Sequence, residues 1–156
     1  MDRPLRYASQ LTEINMDTIT KGLLTELQCE KDFTTLGFIV NRPIKPCRYD
    51  YVIDLGTKFI KVQCKSSHPI NELEEAIQFC CQSTHNPKSG IHIHRNYEKE
   101  DVDFFYTSYN NQGYLIPIEQ CSKTKVLRFS ANVPLKSMNW AKDYEIEKIL
   151  EKEVSK

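Results

Sequence analysis

The chain has 156 residues, 40% of them hydrophobic and 27% charged, with 21 basic side chains balancing 21 acidic ones. That length suits one domain, and that composition excludes wholesale disorder. No apolar run is long enough for a membrane span and the opening Met-Asp-Arg-Pro-Leu-Arg lacks the apolar core of a signal peptide, so a cytoplasmic protein with six reduced cysteines and no membrane partner is expected.

Residues 1–17 are polar and weakly patterned and read as a lead-in; 18–156 read as the single domain. From Thr18 or Thr20, either able to cap a helix, Ile19, Leu23 and Leu27 recur at four-residue spacing. The pattern continues through Phe33 and Leu36 to Gly37, predicting a first helix that packs through this stripe. Strands are predicted over 38–44, 49–55 and 59–65, punctuated by Pro43, Pro46 and Gly56. Asn71 and Glu74 resemble a capping box, and Leu73, Ala76, Ile77, Cys80 and Cys81 then share a helical face, predicting a second helix that ends near Asn86-Pro87. Further strands are expected at 91–97, 102–109 and 114–118, with Asn110-Asn111-Gln112-Gly113 as a turn, then a short basic strand at 125–129. An amphipathic helix from about Asn139 closes the chain. This order implies an α/β or α+β layer fold with helices packed against a central mixed sheet.

Zero net charge is an average, and the distribution is uneven. Residues 41–70 hold six basic and two acidic side chains, 98–119 one basic and five acidic, and 120–140 four basic and none acidic. Ordinary solvated faces show such fluctuations, but Arg42, Lys45 and Arg48 in the first basic block, and Lys123, Lys125 and Arg128 in the second, are the candidates for phosphate contacts.

The stretch 49–65 carries the most chemistry. If Gly56-Thr57 forms a two-residue turn, strand residues pair where their numbers sum to 113, which sets Asp50 opposite Gln63 with Lys65 two residues on. Period-two alternation puts Asp50, Val52, Asp54, Gln63 and Lys65 on one face, and Tyr51, Ile53, Ile60, Val62 and Cys64 on the other. A carboxylate, an amide and an ammonium thus converge. A solvated sheet face gives the same pattern, but Val52 and Phe59 on the polar side argue for partial cover, and Glu26 at the border of the first helix's apolar stripe is in reach.

Asp50, then Gln63-Cys64-Lys65, preceded by a helix bearing Glu26 and followed by the runs at 102–105 and 114–118, resembles the PD-(D/E)xK nuclease superfamily over roughly residues 18–130, most closely the small homing endonucleases of group I introns. The resemblance implies a restriction-endonuclease-like α/β core with its central mixed sheet flanked by helices. It further implies a site-specific DNA endonuclease of homing type, using Mg²⁺ (with Mn²⁺ as a substitute) to hydrolyse phosphodiester bonds in double-stranded DNA. Double-strand cleavage by one site per chain implies a homodimer or homotetramer. Asp50 is then the principal metal ligand, helped by the Gln63 side-chain carbonyl and, as the resemblance implies, the main-chain carbonyl of Cys64; Glu26 restores the missing charge and Lys65 activates water and stabilises the phosphorane. Two other readings stay open: another nuclease of the same superfamily, such as a junction resolvase or restriction-type enzyme, and a non-catalytic DNA-binding module in which Gln63, standing where the motif usually has an acid, marks a lost metal site.

Rival motifs are weaker. Cys81, His85, His92 and His94 form a nitrogen and sulfur cluster conceivable for zinc, but no Cys-x-x-Cys accompanies them and the histidines alternate with Ile91 and Ile93 as on a strand. Nothing singles out a nucleophilic cysteine, and the five glycines make no phosphate loop.

Overall fold

The structure, a computed structural model, describes residues 16–85, 90–130, 132 and 139–156. Most of the expected lead-in, and Lys136 of the second basic block, lie outside them. The first helix, α1, spans Thr18–Thr35. Its cap is Asp17 rather than either threonine: Asp17 Oδ1 accepts the Thr20 N–H at 2.8 Å. Gly37, at φ +87°, ends it, with the Gly37 N–H donating to Thr34 O and that of Phe38 to Phe33 O, the paired bonds of a left-handed glycine stop.

The packed face of α1 differs from the expected one. Thr25, Cys29 and Phe33 are buried, whereas Ile19, Leu23 and Leu27 are 86%, 50% and 49% exposed. Both stripes have four-residue spacing; the aromatic Phe33 and small Cys29 fit beneath the sheet, and the leucine stripe faces outward.

Five strands form the central sheet, in the order β1 (Ile39–Asn41), β2 (Tyr51–Asp54), β3 (Phe59–Cys64), β8 (Phe104–Tyr109), β9 (Gln112–Pro117). Only β3 and β8 pair in parallel; the other neighbours are antiparallel. Asn110 and Asn111, both at positive φ, make the tight turn from β8 to β9, a conformation asparagine tolerates. β8 and β9 are buried on both faces, so their side chains alternate between two cores. Phe104, Tyr106 and Leu115 join Cys29 and Phe33 of α1, Ile53, Ile60 and Val62 of the hairpin, and Ile146, Ile149 and Leu150 of the last helix, α2 (Ile146–Val154). Phe105, Tyr114 and Ile116 join Ile77, Phe79 and Leu127 on the opposite side.

That second core corrects the expectation of a second helix. The segment read as helical forms strands β5 (Ala76–Cys80) and β6 (Gln82–His85). β5 lies between β4 (His68–Pro69) and β10 (Thr124–Arg128) in a small antiparallel sheet that covers the face of the central sheet opposite the helices. Ala76, Ile77 and Phe79 are fully buried there. The apolar cluster that reads as one helical face is a strand that buries Ile77 and Phe79 on one side and Ala76 on the other, with Gln78 half-buried and Cys80 exposed, an ambiguity that short apolar runs carry. β6 pairs with β7 (Ile93–Asn96) in a separate two-stranded ribbon. The fold is mixed α/β around a central mixed sheet, with both helices on one face and the small sheet on the other.

Candidate active site

The hairpin forms in the register set by its turn. Gly56 takes φ +82°, Tyr51 faces Val62 and Ile53 faces Ile60, each pair summing to 113. The Asp50 N–H donates to Val62 O at 2.9 Å, which extends the ladder and brings the Asp50 carboxylate over the end of β3. Asp50 Oδ2 accepts two bonds there, from Gln63 Nε2 at 2.7 Å and from the Cys64 N–H at 2.7 Å. Tyr51, Ile53, Ile60, Val62 and Cys64 are buried on the opposite face, as the alternation requires. Phe59 is the exception to the expected cover, being 67% exposed near the turn.

Gln63 Nε2 also lies 3.3 Å from the main-chain oxygen of Cys64. One donor therefore bridges Asp50 Oδ2 and Cys64 O, two oxygens that converge on a point suited to a cation. Among the described residues no three His, Cys, Asp or Glu side chains gather as a metal cluster. The donor set here holds a single carboxylate, which fits a hard ion that keeps its waters and takes further oxygens from a phosphate. It does not fit zinc. Of the Cys81, His85, His92 and His94 grouping, the His85 side chain lies outside the described residues, and Cys81 is itself buried.

Lys65 continues β3 past its last ladder residue, its N–H donating to Tyr106 O at 2.8 Å. Its ammonium donates to Gln82 O at 2.9 Å and sits 5.0 Å from the centre of the Tyr97 ring. Burial pushes the Lys65 ammonium below the usual lysine range, and burial pushes the Asp50 carboxyl above the usual carboxylate range, the Glu26 charge adding to the latter. Two titratable groups held away from their ordinary values by burial, on adjacent strand ends, make this hairpin end the candidate active site.

The profile of the PD-(D/E)XK endonuclease family matches residues 16–147, a span that contains this hairpin and all of both flanking cores except Ile149 and Leu150. The chain belongs to the PD-(D/E)XK endonuclease family. Among solved structures, the bacterial homing endonuclease I-Ssp6803I superposes with a TM-score of 0.72 at 19% identity, covering 90% of this chain and 98% of that one, which establishes the shared fold. No curated protein gives a significant match.

Within this family member, the remaining predicted residues separate into four groups. Glu26 is close enough to raise Asp50, but its carboxylate pairs with Arg42 at 3.3 Å rather than entering the site. Arg42 also bonds Tyr51 Oη at 2.6 Å, so it ties α1 to the hairpin. Arg48 is drawn in beside the site, bonding Ser83 Oγ at 2.8 Å, Asn96 O at 2.6 Å and Asp101 at 3.1 Å. Lys45 and Lys123 are exposed. Lys125 and Arg128, expected on a DNA surface, are instead 5% and 4% exposed. Lys125 Nζ donates to Gln120 O, Asn139 Oδ1 and Tyr144 Oη, and Arg128 lies over the Trp140 ring, so these two cations hold the C-terminal segment onto the small sheet.

Two residues of the site are not apparent from the sequence. Gln82 supplies the carbonyl that holds Lys65, and Tyr97 lies between Lys65 and Arg48, whose guanidinium is 4.1 Å from the ring centre. Gln82 falls in the segment read as helix. Tyr97 reads as an ordinary strand aromatic, and its place directly after His94-Arg95-Asn96 in a polar run carries no separate signal.

Proposed function

We propose that this chain is a Mg²⁺-dependent, site-specific DNA endonuclease of homing type, with Mn²⁺ able to substitute, cutting both strands of a duplex as a homodimer or homotetramer. The bridging position of Gln63 Nε2 between Asp50 Oδ2 and Cys64 O carries the proposal, because it marks a spot where two oxygens already accept from a partial positive charge. Asp50, the Cys64 carbonyl and, after rotation of its amide, the Gln63 oxygen would hold the ion. A bound Mg²⁺ supplies Lewis-acid stabilisation of the attacked phosphate.

The chain's own groups do the rest. Gln82 and the Tyr97 ring aim the Lys65 ammonium along the end of β3, next to the Asp50 carboxylate. There it orients the attacking water and stabilises negative charge on the pentacoordinate phosphorus. Oligomerisation draws support from the outward Ile19, Leu23 and Leu27 stripe, an apolar helix face left exposed among the described residues.

A second reading rests on the same contact. A neutral amide that fills the cation position is also what a binding module without a metal would show. The deciding experiment incubates a randomised duplex library with wild type, Asp50→Asn and Lys65→Ala chains, scoring cleavage in Mg²⁺ and binding in Ca²⁺. Cutting by wild type and a loss of at least about 100-fold in both variants is expected. Binding without cutting by wild type selects the second reading, and wild-type rates in both variants place the chemistry elsewhere.

A further inference from the structure

The β6–β7 ribbon is the part of the molecule that core packing does not account for. Among the described residues its strands pair only with each other, every residue of β7 is exposed, and Gln82, Ser83, Thr84 and the residues of β7 belong to neither apolar core. It is nonetheless held firmly at its base, where Arg48 bonds Ser83 Oγ and Asn96 O while stacking on Tyr97. It starts one hydrogen bond from the reactive centre, through Gln82 O and Lys65 Nζ. An exposed polar element anchored beside a catalytic lysine calls for a ligand that spans both.

We infer that this ribbon reads base edges in the major groove beside the scissile phosphate, with Gln82, Thr84, His94 and Asn96 as the reading side chains. The inference rests on the nuclease reading proposed above. A two-stranded ribbon is one of the two elements that the roughly 12 Å major groove admits. Pairing sets Gln82 opposite Asn96 and Thr84 opposite His94, so all four project from one face. Cross-strand bonds order that face, Gln82 Nε2 to Asn96 Oδ1 at 2.7 Å and Thr84 Oγ1 with His94 Nδ1 at 3.3 Å. Pre-ordered amides offer the paired donor and acceptor that an adenine edge presents, and Thr supplies a hydroxyl and a methyl for thymine. Two residues along a strand advance roughly 6.6 Å, close to two base-pair steps of roughly 3.4 Å, so the two pairs address bases two steps apart. Ser83 and Arg95 occupy the other face, and Arg95 is placed there for the backbone rather than for bases.

The test compares sequence preferences rather than activity alone. Full-length wild type, the Thr84→Ala with His94→Ala double variant, His94→Gln and Arg95→Ala are each exposed to a library of random-centre duplexes in Ca²⁺, and the bound fraction is sequenced. The same library is cut in Mg²⁺. The double variant should lose at least tenfold enrichment at one or more base pairs of the wild-type motif, His94→Gln should change the favoured base at one position, and Arg95→Ala should keep the motif. An unchanged motif in both ribbon variants, with wild type still cutting, overturns the ribbon's role and leaves the nuclease reading standing. Motif loss in Arg95→Ala alone overturns the choice of face. A changed sedimentation coefficient with an unchanged motif reassigns the ribbon to a contact between copies. Wild type that neither selects nor cuts any duplex overturns both readings.

Discussion

Gln63 Nε2 stands 2.7 Å from Asp50 Oδ2, so the residue that departs from the family's acidic pattern bonds directly to the carboxylate it would share a metal with. Replacing it by glutamate sets two carboxylates against each other across the hairpin. Gln63→Glu is expected to lose about 1–2 kcal/mol of stability in EDTA, because like charges sharing a site cannot both ionise cheaply. Mg²⁺ should restore the loss, making the melting temperature depend on metal far more than in wild type. Titration calorimetry should find Mg²⁺ held at least as tightly as by wild type; tenfold weaker binding would contradict the ligand role of position 63.

Asp50 predicts the pH dependence. Burial raises its folded-state pKa above the unfolded value of about 3.9. A carboxyl shifted in that direction contributes stability that is complete below the unfolded pKa and lost as pH rises through the folded one. Asp50→Asn removes this loss while keeping an oxygen to accept from Cys64. Metal-free melts at pH 7 should therefore place the variant above wild type, with the gap closing toward pH 4. A variant less stable than wild type at pH 7 would mean that the bonds from Gln63 and Cys64 outweigh the cost of burying the charge.

The ring of Tyr97 stabilises the charged form of the lysine facing it, 5.0 Å away. Tyr97→Leu removes the π face and should move the alkaline limb of the cleavage profile to lower pH, as the ammonium gives up its proton sooner. Tyr97→Phe keeps the face and should superpose on wild type. Equal profiles for wild type and the Leu variant would reduce the ring to packing against Phe105, which it meets edge-on at 5.2 Å.

The hairpin was legible because a two-residue turn fixes register, and register fixes which side chains share a face: Asp50, Gln63 and Lys65 follow from counting. The small sheet was not legible, since Ala76, Ile77 and Phe79 are apolar on both sides of their strand and so mimic a helical stripe. Charge misled in the same way at Lys125 and Arg128. A basic run on a strand next to an aromatic C-terminal segment buries its cations against Tyr144 and Trp140, and sequence alone does not distinguish that from a solvated face.

Gly113 is required for a reason independent of the active site. A Cβ there would clash with Asp32 Oδ2 and approach Tyr106 Oη to 2.9 Å, the two atoms of the 2.6 Å bond that fastens α1 to β8. Gly113→Ala should cost about 1–3 kcal/mol, read from urea unfolding. Combining it with Asp32→Ala, which vacates the space, should cost less than the sum of the two single changes; strict additivity would locate the strain elsewhere.

Leu23 and Leu27 lie on the exposed side of α1, each about half exposed, with Leu24 beside them at 47%. Under the proposed function one site per chain cuts one strand, so a double-strand break needs a second copy placed by symmetry, and this exposed face of α1 is the surface proposed for it. Changing Leu23 and Leu27 to Glu places charges on the stripe without touching the buried Thr25, Cys29 and Phe33. The expected outcome is a folded monomer by sedimentation that converts supercoiled plasmid to nicked circles but not to linear DNA. Linear product at the wild-type rate from a chain that still sediments as an oligomer would move the subunit contact to another face, while linear product from a proven monomer would remove the requirement for two copies altogether.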